Sequence, residues 1–116
     1  MQAALPGMRA AGWGRIVNIT SLTTLGTPER TPYAAAKAAL EACTRIWAKE
    51  LASTGITVNA VASGRSVLAG YDGLSRTPPP VAAEVARLAL FLTTPACGHI
   101  TGQTLHVSHG ALTQFA

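Results

Sequence analysis

At 116 residues the chain has room for one small domain, expected to span residues 1–116 as a unit. Hydrophobic residues make up 48% and charged residues 12%, so apolar surface is left over for a second copy or another chain to cover. The net charge of +4 comes from Arg and Lys residues that form no run, which speaks against nucleic acid as a partner. No apolar run reaches membrane-spanning length and no signal peptide is apparent, so no membrane association and a cytoplasmic location are expected. Cys43 and Cys97 follow no metal or disulfide spacing, and no metal is expected.

Met1 to Ala11 reads as the tail of a helix, broken by Gly12 and Gly14. Arg15 to Ser21 is a β-branched run, predicted as a strand with both faces largely covered. A polar loop, Leu22 to Thr31, follows. A long helix opens near Pro32, where a first-turn proline is tolerated, with Thr31 as the expected N-cap. Ala36, Ala39, Leu40, Cys43, Ile46, Trp47 and Leu51 form its apolar stripe, and the small residues among them would admit a second helix closely. The helix is expected to stop near Ser53-Thr54-Gly55.

Ile56 to Ala62 is a second apolar strand. An irregular segment to Pro80 follows, long enough to suggest a functional loop. Val81 to Leu92 is another amphipathic helix, Pro95 to Gly98 a turn, and Thr104 to Val107 a third strand. Strands alternating with helices predict a parallel sheet with right-handed crossovers. The fold class expected is α/β, a truncated Rossmann-like three-layer fold of about three parallel strands flanked by helices.

Chemistry concentrates at Tyr33 and Lys37, four residues apart and therefore on one helix face. A phenol in water titrates near ~10, too high to exchange a proton easily at neutral pH. An ammonium about 4 Å away, at an effective dielectric near ~20, favours the phenolate by up to roughly 4 kcal/mol. By spacing alone the pair is more simply a Tyr and a Lys on an amphipathic helix; the surrounding sequence alters that balance.

Gly14-Arg15-Ile16-Val17-Asn18-Ile19-Thr20-Ser21, Tyr33-Ala34-Ala35-Ala36-Lys37, Ile56-Thr57-Val58-Asn59-Ala60-Val61 and Ile100-Thr101-Gly102-Gln103-Thr104-Leu105-His106-Val107 follow one another in order. Together they resemble the C-terminal half of a short-chain dehydrogenase/reductase, closest to the 3-oxoacyl-carrier-protein reductase and polyketide ketoreductase type. The resemblance implies that Ser21 hydrogen-bonds a substrate carbonyl or hydroxyl, that Tyr33 gives or takes the proton, and that Lys37 assists the phenol and holds the cofactor ribose. It also implies dimerisation through the long helix. Thr23, Arg65 and Tyr71 are the expected substrate contacts, with Arg65 placed to meet an anionic group. His106 is expected to pack in its strand, whereas His109 is unusual and could reach a site or an interface.

The sequence departs from the family at definite points. It has no Gly-x-x-x-Gly-x-Gly turn, no Asn-Asn-Ala-Gly segment and no helix bearing the fourth catalytic residue, an asparagine. Ser63-Gly64-Arg65-Ser66-Val67 and Ser108-His109-Gly110 replace the usual segments after the second and last strands. No cofactor is therefore expected on this chain alone, and NAD(P)H only if a partner supplies the missing half. The apolar strand Ile16 to Thr20 would be an open edge, expected to pair with another chain or be capped by the N-terminal segment.

The leading functional expectation is a half-length biosynthetic protein using Ser21, Tyr33 and Lys37 for cofactor-independent proton transfer on a carbonyl-bearing, polyketide-like metabolite. Isomerisation, dehydration, cyclisation or an aldol-type step would each suit it. One alternative is an NAD(P)H-dependent carbonyl reductase completed by a separate nucleotide-binding chain. The others are a non-catalytic interaction remnant and a piece of a longer enzyme. The partners expected are a small carbonyl substrate and a second copy, or a complementing chain.

Overall fold

The computed structural model describes residues 1–64 and 82–108. Three helices and three strands alternate: α1 (Leu5–Ala11), β1 (Gly14–Ser21), α2 (Thr31–Glu50), β2 (Ile56–Ser63), α3 (Ala82–Leu92) and β3 (Thr104–Val107). The strands form one parallel sheet in the order β1-β2-β3. β1 and β2 run in register from Gly14 opposite Ile56 to Ser21 opposite Ser63. β3 joins only the last half of β2, from Thr104 opposite Ala60 to Val107 opposite Ser63. The architecture is the α/β, Rossmann-like one that alternating apolar runs predict.

β2 is the central strand, and its composition shows why. Val58, Ala60, Val61 and Ala62 are fully buried, the mark of a parallel strand covered on both faces. Val58 joins Ile56, Ala48 and Leu51 in a core against which Leu5, Met8, Ile16 and Trp47 also pack. Each such large side chain contributes about 1.5–3 kcal/mol by leaving water. Leu92 of α3 and Cys97, in a short 3-10 turn after it, are buried as well. A buried amide, Asn59, fixes the turn leading into β3: its Nδ2 donates to the Ile100 carbonyl at 2.8 Å, and its Oδ1 accepts from the Gln103 N–H at 3.1 Å.

β1 differs from expectation. Half of its residues, Arg15 to Asn18, are half-buried rather than covered, and Ile19 is exposed. The reason is its place: it is an edge strand with a sheet neighbour on one side only. The N-terminal segment adds no strand there: it folds as α1, whose Leu5 and Met8 reach the core, and among the described residues no strand pairs with the outer side of β1. β3 is likewise an edge strand, and His106, expected to pack, is exposed there.

Both ends of α2 also depart from the sequence reading. Thr31 is the first helical residue, and Arg30 takes the N-cap position without a side-chain cap. The Arg30 carbonyl accepts the first helical bond, from the Ala34 N–H at 2.8 Å. At the other end α2 stops at Glu50, and Leu51 to Gly55 turn into β2. Gly55 has a left-handed φ of 78°, and a Cβ there would overlap the Gly12 carbonyl, so glycine serves close approach at that point.

The face α2 turns inward is the expected one only in part. Of the expected stripe, Leu51 is buried, Trp47 packs against the core, and Leu40 and Cys43 are half-buried, whereas Ala36, Ala39 and Ile46 are exposed; Thr44 and Ala48 are the buried residues of the helix itself. From Lys37 to Thr44 the face turned to β1 is polar, because Lys37 and Thr44 hydrogen-bond β1 and Glu41 reaches the turn that follows it. Apolar periodicity could not reveal a face built of polar groups.

Candidate active site

In a parallel sheet the crevice at the carboxyl ends of the strands is the usual ligand site. Here those ends bring Ser21 opposite Ser63 and Ser63 opposite Val107. The Gly64 N–H donates to the Val107 carbonyl at 3.0 Å, closing the rim between β2 and β3.

Ser21 ends β1 in extended conformation, with φ −150° and ψ 148°, and caps the 3-10 turn Leu22–Leu25. It is 8% exposed. Its Oγ accepts a hydrogen bond from the Thr23 N–H at 3.3 Å. A serine hydroxyl is both donor and acceptor, so this contact leaves the Ser21 proton available to a substrate oxygen.

Tyr33 stands in the first turn of α2 and is 49% exposed, open enough for a small molecule to reach it. One turn on, Lys37 places Nζ 5.6 Å from the centre of the Tyr33 ring. The same Nζ donates to the Ile19 carbonyl at 2.9 Å. Lys37 thus ties the Tyr33 face of α2 to β1 two residues before Ser21. Two ammonium protons remain for other acceptors. The structure therefore ties Lys37, with Tyr33 one turn before it on the same helix, to the strand that ends in Ser21.

Thr23 contributes its backbone N–H to Ser21. It helps line an open depression of about 330 Å³ with Thr24, Gly26, Thr27, Thr31, Ala34, Ala35 and Ala38. Its Oγ1 is buried without a hydrogen-bond partner. Ser21, Tyr33 and Lys37 are not among the residues lining that depression. Arg65, Tyr71 and His109 lie outside the described residues. Among the described residues no group of three or more His, Cys, Asp or Glu side chains gathers to hold a metal ion. None of the described helices is long and apolar enough to cross a membrane.

Four residues near the trio escape a search for catalytic types. Thr24 Oγ1 lies 3.0 Å from the Ser21 carbonyl and 3.4 Å from Glu41 Oε1. Asn18 Nδ2 donates to Thr44 Oγ1 at 2.9 Å, and Thr44 in turn donates to the Leu40 carbonyl at 2.8 Å. The signal was present: Tyr33, Lys37, Glu41 and Thr44 continue one another along a single helix face.

Comparison with known proteins agrees with this fold. The sequence pattern of the family described as short chain dehydrogenase matches residues 1–67. An oxidoreductase of Mycobacterium tuberculosis is 62% identical over 91 residues, covering 75% of this chain and 41% of that protein. The 3-oxoacyl-(acyl-carrier-protein) reductase of Pseudomonas aeruginosa is 40% identical over 124 residues, covering 94% of this chain and 49% of that protein. Among solved structures, an oxidoreductase of Burkholderia thailandensis matches 97% of this chain and 49% of its own, with a TM-score of 0.87 at 30% identity. The chain thus spans about half the length of the relatives it matches. From the matched pattern and the fold together, the chain belongs to the short-chain dehydrogenase/reductase family.

Proposed function

We propose that this chain carries the carbonyl-reacting half of an NAD(P)H-dependent reductase of the ketoreductase type, with Ser21, Tyr33 and Lys37 as its acid–base centre. The observation that carries the reading is the 2.9 Å bond from Lys37 Nζ to the Ile19 carbonyl. It ties the helix that carries Tyr33 to β1, two residues before Ser21. The similarity to the Pseudomonas aeruginosa reductase supports reduction over redox-neutral proton transfer. No relative described above favours isomerisation, dehydration or cyclisation.

When bound, the dinucleotide supplies the hydride. Ser21 donates its free proton to the substrate carbonyl oxygen and orients it. The Tyr33 hydroxyl protonates that oxygen as negative charge develops on it. The Lys37 ammonium offsets the charge left on the phenol. A remaining Lys37 proton would hold a ribose hydroxyl.

The phosphate end of the dinucleotide finds no match here. The link from β1 to α2 contains a single glycine, Gly26, and the sequence has no glycine-rich phosphate turn. That part belongs to residues beyond these 116, on the same polypeptide or on a complementing one. The open edge of β1 is where such a half would join the sheet. The exposed Ala36, Ala39 and Ile46 on α2 offer a separate face for a second copy.

Titrating NADPH into the chain alone, and then with the complementing half added, tests this proposal. Binding is expected only in the second case. Tight binding to the 116 residues alone, or none to the completed protein, contradicts it.

A further inference from the structure

We infer that Glu41 and Thr24 are positioning residues for Ser21, forming a polar clasp that sets the serine against the Tyr33 helix. The inference rests on the reading of Ser21 as a substrate-orienting hydroxyl, but it concerns geometry and is testable without turnover. Three side chains on one face of α2 meet β1 and the turn after it. Lys37 holds the Ile19 carbonyl, Thr44 holds the Asn18 amide, and Glu41 meets Thr24. The points gripped are Asn18, Ile19 and, through Thr24, Ser21. All belong to the second half of the strand, where Ser21 sits.

Lys37 and Thr44 hydrogen-bond the strand before Ser21 rather than the turn that follows it. That turn, Leu22–Leu25, holds Ser21 from the other side: Thr23 supplies the N–H to Ser21 Oγ, and Thr24 Oγ1 lies 3.0 Å from the Ser21 carbonyl. Thr24 is also the turn's hydrogen-bonding link to α2, through Glu41 Oε1 at 3.4 Å. Without that link the turn can shift relative to the helix. The Thr23 N–H then leaves Ser21 Oγ, and the serine hydroxyl is free to rotate. Lys37 and Glu41 stand one turn apart with opposite charges, yet both side chains reach toward β1 and its turn.

Proton counting gives the clasp a distinctive signature. Thr24 has one hydroxyl proton and two acceptors competing for it, the Ser21 carbonyl and the Glu41 carboxylate. Replacing Glu41 by Gln removes the competition. The amide can donate to Thr24 Oγ1, and Thr24 can then give its own proton wholly to Ser21. Glu41→Gln should therefore keep or tighten the clasp, whereas Glu41→Ala and Thr24→Val should release it.

The test measures the Ser21 Hα–Hβ couplings by NMR in the full chain and its variants, with thermal midpoints and amide dispersion as folding controls. Wild type, Thr24→Ser and Glu41→Gln are expected to show the couplings of one held rotamer. Thr24→Val and Glu41→Ala are expected to show rotamer-averaged couplings while amide dispersion is retained. Unchanged couplings in both of those variants overturn the inference. So does averaging seen only with collapse of the fold, or loss in Glu41→Gln as complete as in Glu41→Ala. Failure of the proposed reductase activity would leave these couplings as they are, so the two readings fail separately.

Discussion

The two halves of α2 are held by different forces. From Thr31 to Thr44 the helix meets β1 and its turn through Lys37, Glu41 and Thr44, each in a directional hydrogen bond. From Thr44 onward it packs through Trp47, Ala48 and, just past its end, Leu51 against Ile56 and Val58. Hydrogen bonds fix distance and angle but add only about 0.5–1.5 kcal/mol each in net stability. Apolar burial adds more but specifies position less. The helix thus separates placing Tyr33 and Lys37 from holding the domain together. Damage to the first half should appear as lost activity, and damage to the second half as lost stability.

Tyr33→Phe separates the two most widely. The hydroxyl goes, the ring stays, and the residue is half exposed, so folding should be untouched. Carbonyl reduction by the completed enzyme should fall by about 10²–10⁴-fold, read from steady-state rates. Unchanged turnover would remove Tyr33 from the chemistry. Leu51→Ala strikes the opposite half. Leu51 is 2% exposed, and its truncation should cost about 2–5 kcal/mol in denaturant unfolding. A cost below about 1 kcal/mol would mean that the second half does not anchor the fold.

Thr44→Val lies at the boundary and sharpens the comparison. Thr44 is fully buried, and the change leaves the Asn18 amide without its acceptor. About 1–3 kcal/mol of stability should be lost, seen as a lower unfolding midpoint. Ile46→Ser has the smallest expected effect on the single chain, within about 0.5 kcal/mol, because the side chain is 53% exposed. Sedimentation should instead show weaker self-association. Unaltered association would point to a different face for the second copy.

The order of the elements, the parallel sheet and the buried character of β2 were legible in the sequence because apolar runs of strand and helix length report them directly. Tyr33 and Lys37 were legible too, since four-residue spacing puts two side chains on one helix face whatever surrounds them. The inward face of α2 was legible only in part. Trp47 and Leu51 of the apolar stripe pack in the core, and Ala36 and Ala39 lie on the outside, open to a second helix, but the groups that approach β1 are Lys37 and Thr44, with Glu41 at its turn. A polar residue looks the same in sequence whether it faces water or an edge strand. The exposure of Ile19 and His106 was hidden for a related reason: sequence gives a strand's composition, not the number of its neighbours.

Deuteride transfer tests the central claim most directly. The completed protein is given a 3-oxoacyl thioester and NADPH deuterated at the transferring position, and the product is analysed for deuterium. Deuterium at the former carbonyl carbon, with the rate at least about a hundredfold lower in Tyr33→Phe, is the predicted result. Proton exchange beside the carbonyl with no deuterium transfer, or transfer undiminished in Tyr33→Phe, would contradict it.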